Sequence, residues 1–156
     1  MVKIIIKSLI VLLLMGIIFS FSADTGNKST KKSDYVITQV GKTFFLKRFK
    51  SLGEKQFIEK YVVIVRKTAH FILYFCLSLA IFSLLKEFYP VTLKSYLWTV
   101  LMVFLYACSD EVHQVFVAGR SGSLVDIFLD TLAGGVAAYL YFWGRRSKNE
   151  QEKAIG

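Results

Sequence analysis

The chain has 156 residues, 54% of them hydrophobic, and 20 Lys and Arg against 11 Asp and Glu give a formal net charge of +9. That length holds one domain, and the apolar residues are gathered into long blocks that a soluble core of this size does not use, which excludes a soluble fold and predicts an integral membrane protein. No Gly-rich phosphate loop, nucleic-acid module, internal repeat or Cys-x-x-Cys spacing occurs, so the positive charge reads as membrane electrostatics and nucleic acid is excluded as a partner.

Residues 1–22 contain the first predicted span, a helix near 4–22. From Ser8 to Phe21 (SLIVLLLMGIIFSF) there is no charge, and about 20 apolar residues cross a bilayer core. Lys3, Lys7 and the small residues of Ser20-Phe21-Ser22 also fit a cleaved signal peptide, but the length of the apolar run favours a retained anchor. Residues 23–68 read as a long polar and basic connection. Its first part, SADTGNKSTKKSD, has the composition of a loop. Its second part, Tyr35 to Lys67, interleaves Phe44, Phe45, Leu46, Phe49 and Leu52 with Lys42, Lys47, Arg48 and Lys50. Such a pattern suits a basic amphipathic helix on the membrane surface, and equally a solvated helix with a basic face.

Residues 69–143 form the membrane core, with spans predicted near 69–86, 93–112 and 124–143. The connection Glu87–Lys94 carries the only proline, Pro90, and VAGRSGS (Val117–Ser123) is Gly/Ser-rich and tight. Residues 144–156 are a charged tail expected to fray. Cys76 and Cys108 fall inside apolar helices and read as packing residues. The fold class that follows is an all-α integral membrane protein, a small bundle of four transmembrane helices with a long basic first loop. Eight Lys and Arg lie on the side of the two termini and twelve on the other, eleven of those in the long loop, which leaves membrane orientation open.

In such a serpentine, the end of helix 1, the start of helix 2, the end of helix 3 and the start of helix 4 share one membrane face. Arg66, Lys67, His70 and Tyr74 start helix 2, with Arg66, His70 and Tyr74 on one stripe at i, i+4, i+8. Asp110, Glu111, His113 and Gln114 end helix 3. Asp110, His113 and Gln114 share a face, and Glu111 points about 100° away from Asp110. Arg120 lies in the loop, and Asp126 and Asp130 start helix 4. Ionisable groups at membrane depth are costly unless paired or wetted, so their convergence marks a functional site. Arg66, Lys67 and Arg120 stand against Asp110, Glu111, Asp126 and Asp130, near the charge balance that a buried network requires. Beyond them, Ala133, Gly134, Gly135 and Ala137 would let helix 4 approach a neighbour closely.

The string RKTAHFILY, then SDEVHQVFVAGRSGSLVDIFLDTLAG, with FSADTGNKSTKKSD after the first helix, closely resembles the VanZ-like membrane protein family over about residues 17 to 140. The resemblance implies a small multi-pass protein of the bacterial cell membrane and envelope, some of whose relatives are associated with lowered susceptibility to the glycopeptide antibiotic teicoplanin. It does not settle a mechanism. The matching positions are Arg66, Lys67, His70, Tyr74, Ser109, Asp110, Glu111, His113, Gln114, Arg120 and Asp126, while Asp130 stands where relatives often carry an amide.

Two functional readings follow. In the first, Arg66, Lys67, His70, Tyr74, Asp110, Glu111, His113, Gln114, Arg120 and Asp126 bind or transport an anionic lipid or lipid-linked envelope precursor in the bilayer. The guanidinium groups would engage phosphate. In the second, the protein is an intramembrane hydrolase or transferase with His113 as general base, Asp110 orienting it and His70 as a second acid or base. A divalent metal on His70, His113, Asp110 and Asp126 would be a variant of that chemistry, although no ligand spacing is diagnostic and no cofactor is indicated. The same side chains could instead only cross-link helix ends.

Overall fold

The computed structural model describes residues 1–24 and 54–155, with side chains described for 1–24 and 64–147. The Ser/Thr/Lys segment and most of the expected surface helix lie outside the described residues. The described residues form four helices in chain order: α1 (Val2–Ala23), α2 (Glu54–Leu85), α3 (Leu93–Val115) and α4 (Leu124–Ile155). Among the described residues there is no strand.

Two helices outrun their predicted bounds. Residues 54–67 (EKQFIEKYVVIVRK) contain neither Gly nor Pro, so nothing stops the helix at the edge of the apolar block and α2 begins at Glu54. The charged tail likewise continues α4 to Ile155 instead of fraying at 144. Each of these helices has 32 residues, about 48 Å at 1.5 Å per residue, which exceeds a hydrocarbon core of about 30 Å.

Among the described residues, three stretches are long and apolar enough to cross a membrane: Val2–Ala23, Ile64–Leu85 and Leu124–Ser147. The 23 residues of α3 match them in length but not in apolarity. The reason is that α3 has two unlike faces. It buries Ser95, Thr99, Asp110, Glu111 and Gln114 while exposing Leu97, Trp98, Leu101, Met102, Leu105 and Val112. Averaging the faces hides an apolar exterior behind a polar interior. The expected count of four therefore stands as three helices of spanning character and one that is less apolar.

The packing is that of an antiparallel serpentine. α4 lies against α2 and α3, and α1 against α2 and α3. Ile18, Tyr74, Leu77, Ile81, Val103, Ala107 and Ala133 form the shared core. Polar atoms cross it where helices come close: Ser78 Oγ donates to the Gly134 carbonyl at 2.7 Å, and Tyr106 Oη to the Met15 carbonyl at 2.6 Å. At the face opposite the polar cluster, Lys7 Nζ donates to the Ser83 carbonyl at 2.8 Å and to Glu87 at 2.5 Å. That hydrogen bond, more than Coulomb attraction, holds the Glu87 carboxyl below its usual value.

Gly134 sets the α3–α4 distance. A Cβ there would sit 2.6 Å from Val103 Cγ1, whereas one at Gly135 meets nothing within 4 Å. Val103 is fully buried and β-branched, so it has little freedom to yield. Gly134→Ala is expected to destabilise the protein by about 1–3 kcal/mol through overpacking, read as a lower thermal midpoint in detergent, while Gly135→Ala leaves the midpoint unchanged or raised.

Candidate functional site

The polar residues assemble where α1 and α3 end and α2 and α4 begin. The loop between α3 and α4 is fixed first. Past the end of α3, the Phe116 and Val117 N–H groups donate to the His113 and Gln114 carbonyls, both at 3.0 Å. Gly119 then turns the chain with φ 76°, a left-handed conformation that glycine adopts without Cβ strain. Glu111 Oε2 accepts the Ser123 N–H at 2.7 Å, and Ser123 Oγ accepts the Asp126 N–H at 3.3 Å, which caps the start of α4. The loop is thereby held against α3, and Arg120 is aimed inward.

Arg120 acts as a clamp. Its Nε donates to the Asp24 carbonyl at 2.9 Å, Nη2 to the Phe21 carbonyl at 2.9 Å and Nη1 to Gln114 Oε1 at 3.1 Å. The last carbonyls of a helix have no partners within it and carry its negative dipole end, so a cation there is favourable. Gln114 passes the connection inward. Its Nε2 lies 3.1 Å from Asp110 Oδ2, 3.1 Å from Glu111 Oε1 and 3.3 Å from Ser22 Oγ. Ser22 Oγ itself donates to Asp110 Oδ2 at 2.7 Å. Asp110 thus faces α1, Glu111 faces the start of α4, and Gln114 bridges the two.

Between α2 and α4 the pairs run in register. Lys67 makes an ion pair with Asp126, and one turn deeper His70 Nδ1 lies 3.9 Å from Asp130 Oδ2, with side chains only 11% and 5% exposed. These residues surround a cavity of about 20 Å³, lined by Arg66, Lys67, His70, Glu111, Gln114, Arg120, Asp126, Leu129 and Asp130. That volume corresponds to about one water-sized group. The outer rim carries Arg66 and Lys67, both half-buried. Among the described residues, the Arg66 guanidinium makes no hydrogen bond or ion pair. The pKa of Arg120 is lowered, first by burial and then by the positive charge of Arg66 facing it.

Most of the predicted residues converge on this cavity; Tyr74, Asp110 and His113 do not line it. Tyr74 is fully buried beneath His70, ring centroids 6.4 Å apart, and its hydroxyl has no hydrogen-bond partner among the described residues. His113 stacks on Phe19 of α1 at 4.3 Å, and its Nε2 is without a partner among the described residues. The hydrogen bonds of Asp110 go to Ser22 and Gln114, so it does not orient His113 by one. Among the described residues, no group of three or more His, Cys, Asp or Glu could hold a metal ion. Sequence reasoning missed Ser22, Ser123 and Leu129, and gave Asp130 no firm role. The signal for Ser22 was available: it is a hydroxyl in the last turn of an apolar helix, on the same membrane face as Asp110 and Gln114.

A family model described as VanZ/LLP1 matches residues 8–145. No curated protein and no solved structure matches the chain.

Proposed function

The chain belongs to the VanZ/LLP1 family of membrane proteins, and we propose that the rim of its cavity binds the phosphate-bearing head group of an anionic lipid or lipid-linked envelope component in the bacterial cell membrane. All four helices would cross the bilayer, α3 turning its apolar side to lipid and its polar side to the bundle. The observation that carries the reading is Arg66: a guanidinium at the rim of a buried polar cavity, close enough to Arg120 for its charge to lower that group's pKa, and engaged in no ion pair among the described residues. Two facing cations are relieved by an anion, and arginine matches phosphate in a bidentate manner. Arg120, which the sequence suggested as a phosphate ligand, directs three of its N–H donors to α1 and Gln114, which fixes it as a clamp. The direct contacts would therefore fall to Arg66 and to Lys67, released from Asp126. Sequestering such a lipid would alter the surface met by lipid-bearing glycopeptides of the teicoplanin type.

In phosphatidylcholine vesicles containing phosphatidylglycerol, the purified protein is expected to retain phosphatidylglycerol preferentially. Arg66→Ala should weaken that preference about 10- to 100-fold, as loss of one charged hydrogen-bonding group does. Lys94→Ala, in the residues that begin α3 at the other membrane face, should leave it unchanged. Equal retention by wild type and Arg66→Ala would defeat the reading.

A further inference from the structure

We propose that the cavity is also a hydrolytic site for lipid phosphate monoesters, with His70 as general base and Asp130 as the residue that positions it; this rests on the head-group reading above. The imidazole at the cavity is His70, and it comes with a carboxylate behind it. His70 and Asp130 are each nearly buried, their Nδ1 and Oδ2 atoms are 3.9 Å apart, and both line the cavity. A carboxylate behind one ring nitrogen fixes the orientation of the imidazole and stabilises the imidazolium that forms during proton abstraction. The separation is longer than a hydrogen bond, as such contacts often are before substrate binds.

The dimensions fit the division of labour. The cavity, about 20 Å³, is the size of an attacking water and not of a phosphate. The cations that would hold a phosphate stand at its rim, where Lys67 is 37% exposed and pairs with Asp126. A lipid phosphate docked on Arg66 and Lys67 would place its phosphorus over the cavity, with the alcohol chain directed away from it. Phosphoryl transfer needs little more from a protein than positioning, charge neutralisation and a base for the nucleophile.

The step balances as follows. His70 takes a proton from water as the water oxygen bonds to phosphorus. The bond between phosphorus and the lipid oxygen breaks, and that oxygen takes a proton from water at the rim. His70 then returns its proton to solvent. The net change is a lipid phosphate monoester and water giving the lipid alcohol and inorganic phosphate, with no oxidation or reduction.

The test uses full-length protein in phosphatidylcholine vesicles doped with phosphatidate or a polyprenyl monophosphate, reading lipid retention and phosphate release in one sample. Wild type should retain the phospholipid and release phosphate. His70→Gln should retain it and release phosphate at least about 100-fold more slowly, the span of a general base. Asp130→Asn should lower kcat about 10-fold or more with KM unchanged, because it acts on the base and not on the phosphate. Retention without release in wild type, or undiminished release from His70→Gln, overturns the hydrolytic proposal and leaves the head-group reading standing. Absence of retention overturns both. Release from soluble glycerol phosphate as fast as from the membrane esters would overturn the lipid assignment.

Discussion

Arg120→Ala is expected to destabilise the protein by about 2–4 kcal/mol, the range for removing one partner of a partly buried charged network. One guanidinium serves the Asp24 and Phe21 carbonyls of α1 and Gln114 of α3 together. Its loss leaves two helix-terminal carbonyls and one buried amide oxygen without their donor. The consequence reaches further than the loop. α1 joins α3 at this end through Arg120 and Ser22 and higher up through Tyr106, so α1 should loosen from the bundle. Arg120→Lys should recover only part of the loss, since a single ammonium cannot span three acceptors in a fork. Thermal unfolding in detergent reads both effects. A midpoint for Arg120→Ala equal to wild type would show that the clamp holds nothing.

Glu111→Ala should cost about as much, about 2–4 kcal/mol, by a different route. Glu111 is 5% exposed, and its two oxygens accept from the Ser123 N–H at 2.7 Å and from Gln114 Nε2 at 3.1 Å. Alanine removes both acceptors and leaves the Ser123 N–H at the start of α4 without its partner. Glu111→Gln keeps one oxygen for Ser123 and is expected to retain at least half of the stability. If alanine and glutamine behave alike in thermal unfolding, the Ser123 contact contributes nothing and the capping account of the loop fails.

Much of this arrangement was legible in the residues. The apolar blocks placed the helices, and the serpentine alone put Arg66 to Tyr74, Asp110 to Gln114 and Asp126 on one membrane face. Helical spacing even separated Asp110 from Glu111: the first meets α1, the second the start of α4. Partners across helices were not legible, because periodicity fixes a face and not the rotation of one helix against another. Hence His113 reads as a catalytic base in the string DEVHQ but stacks on Phe19, while His70, in a plain apolar setting, meets Asp130. Arg120 was invisible as a clamp for a related reason. Its acceptors are backbone carbonyls of α1, and side-chain patterns carry no record of those. The less apolar α3 shows the limit of averaging, since hydropathy sums over two faces that meet different surroundings.

The most direct test of head-group binding is photo-crosslinking from inside the cavity. A benzophenone side chain in place of Leu129, which lines the cavity, is compared with one in place of Leu13, which is exposed on α1, in vesicles of mixed phosphatidylcholine and phosphatidylglycerol. The account predicts that adducts from position 129 are strongly enriched in phosphatidylglycerol and lose that enrichment when Arg66→Ala is added, while adducts from position 13 follow the bulk lipid composition throughout. Adducts at position 129 that mirror the bulk composition, with or without Arg66, would contradict it.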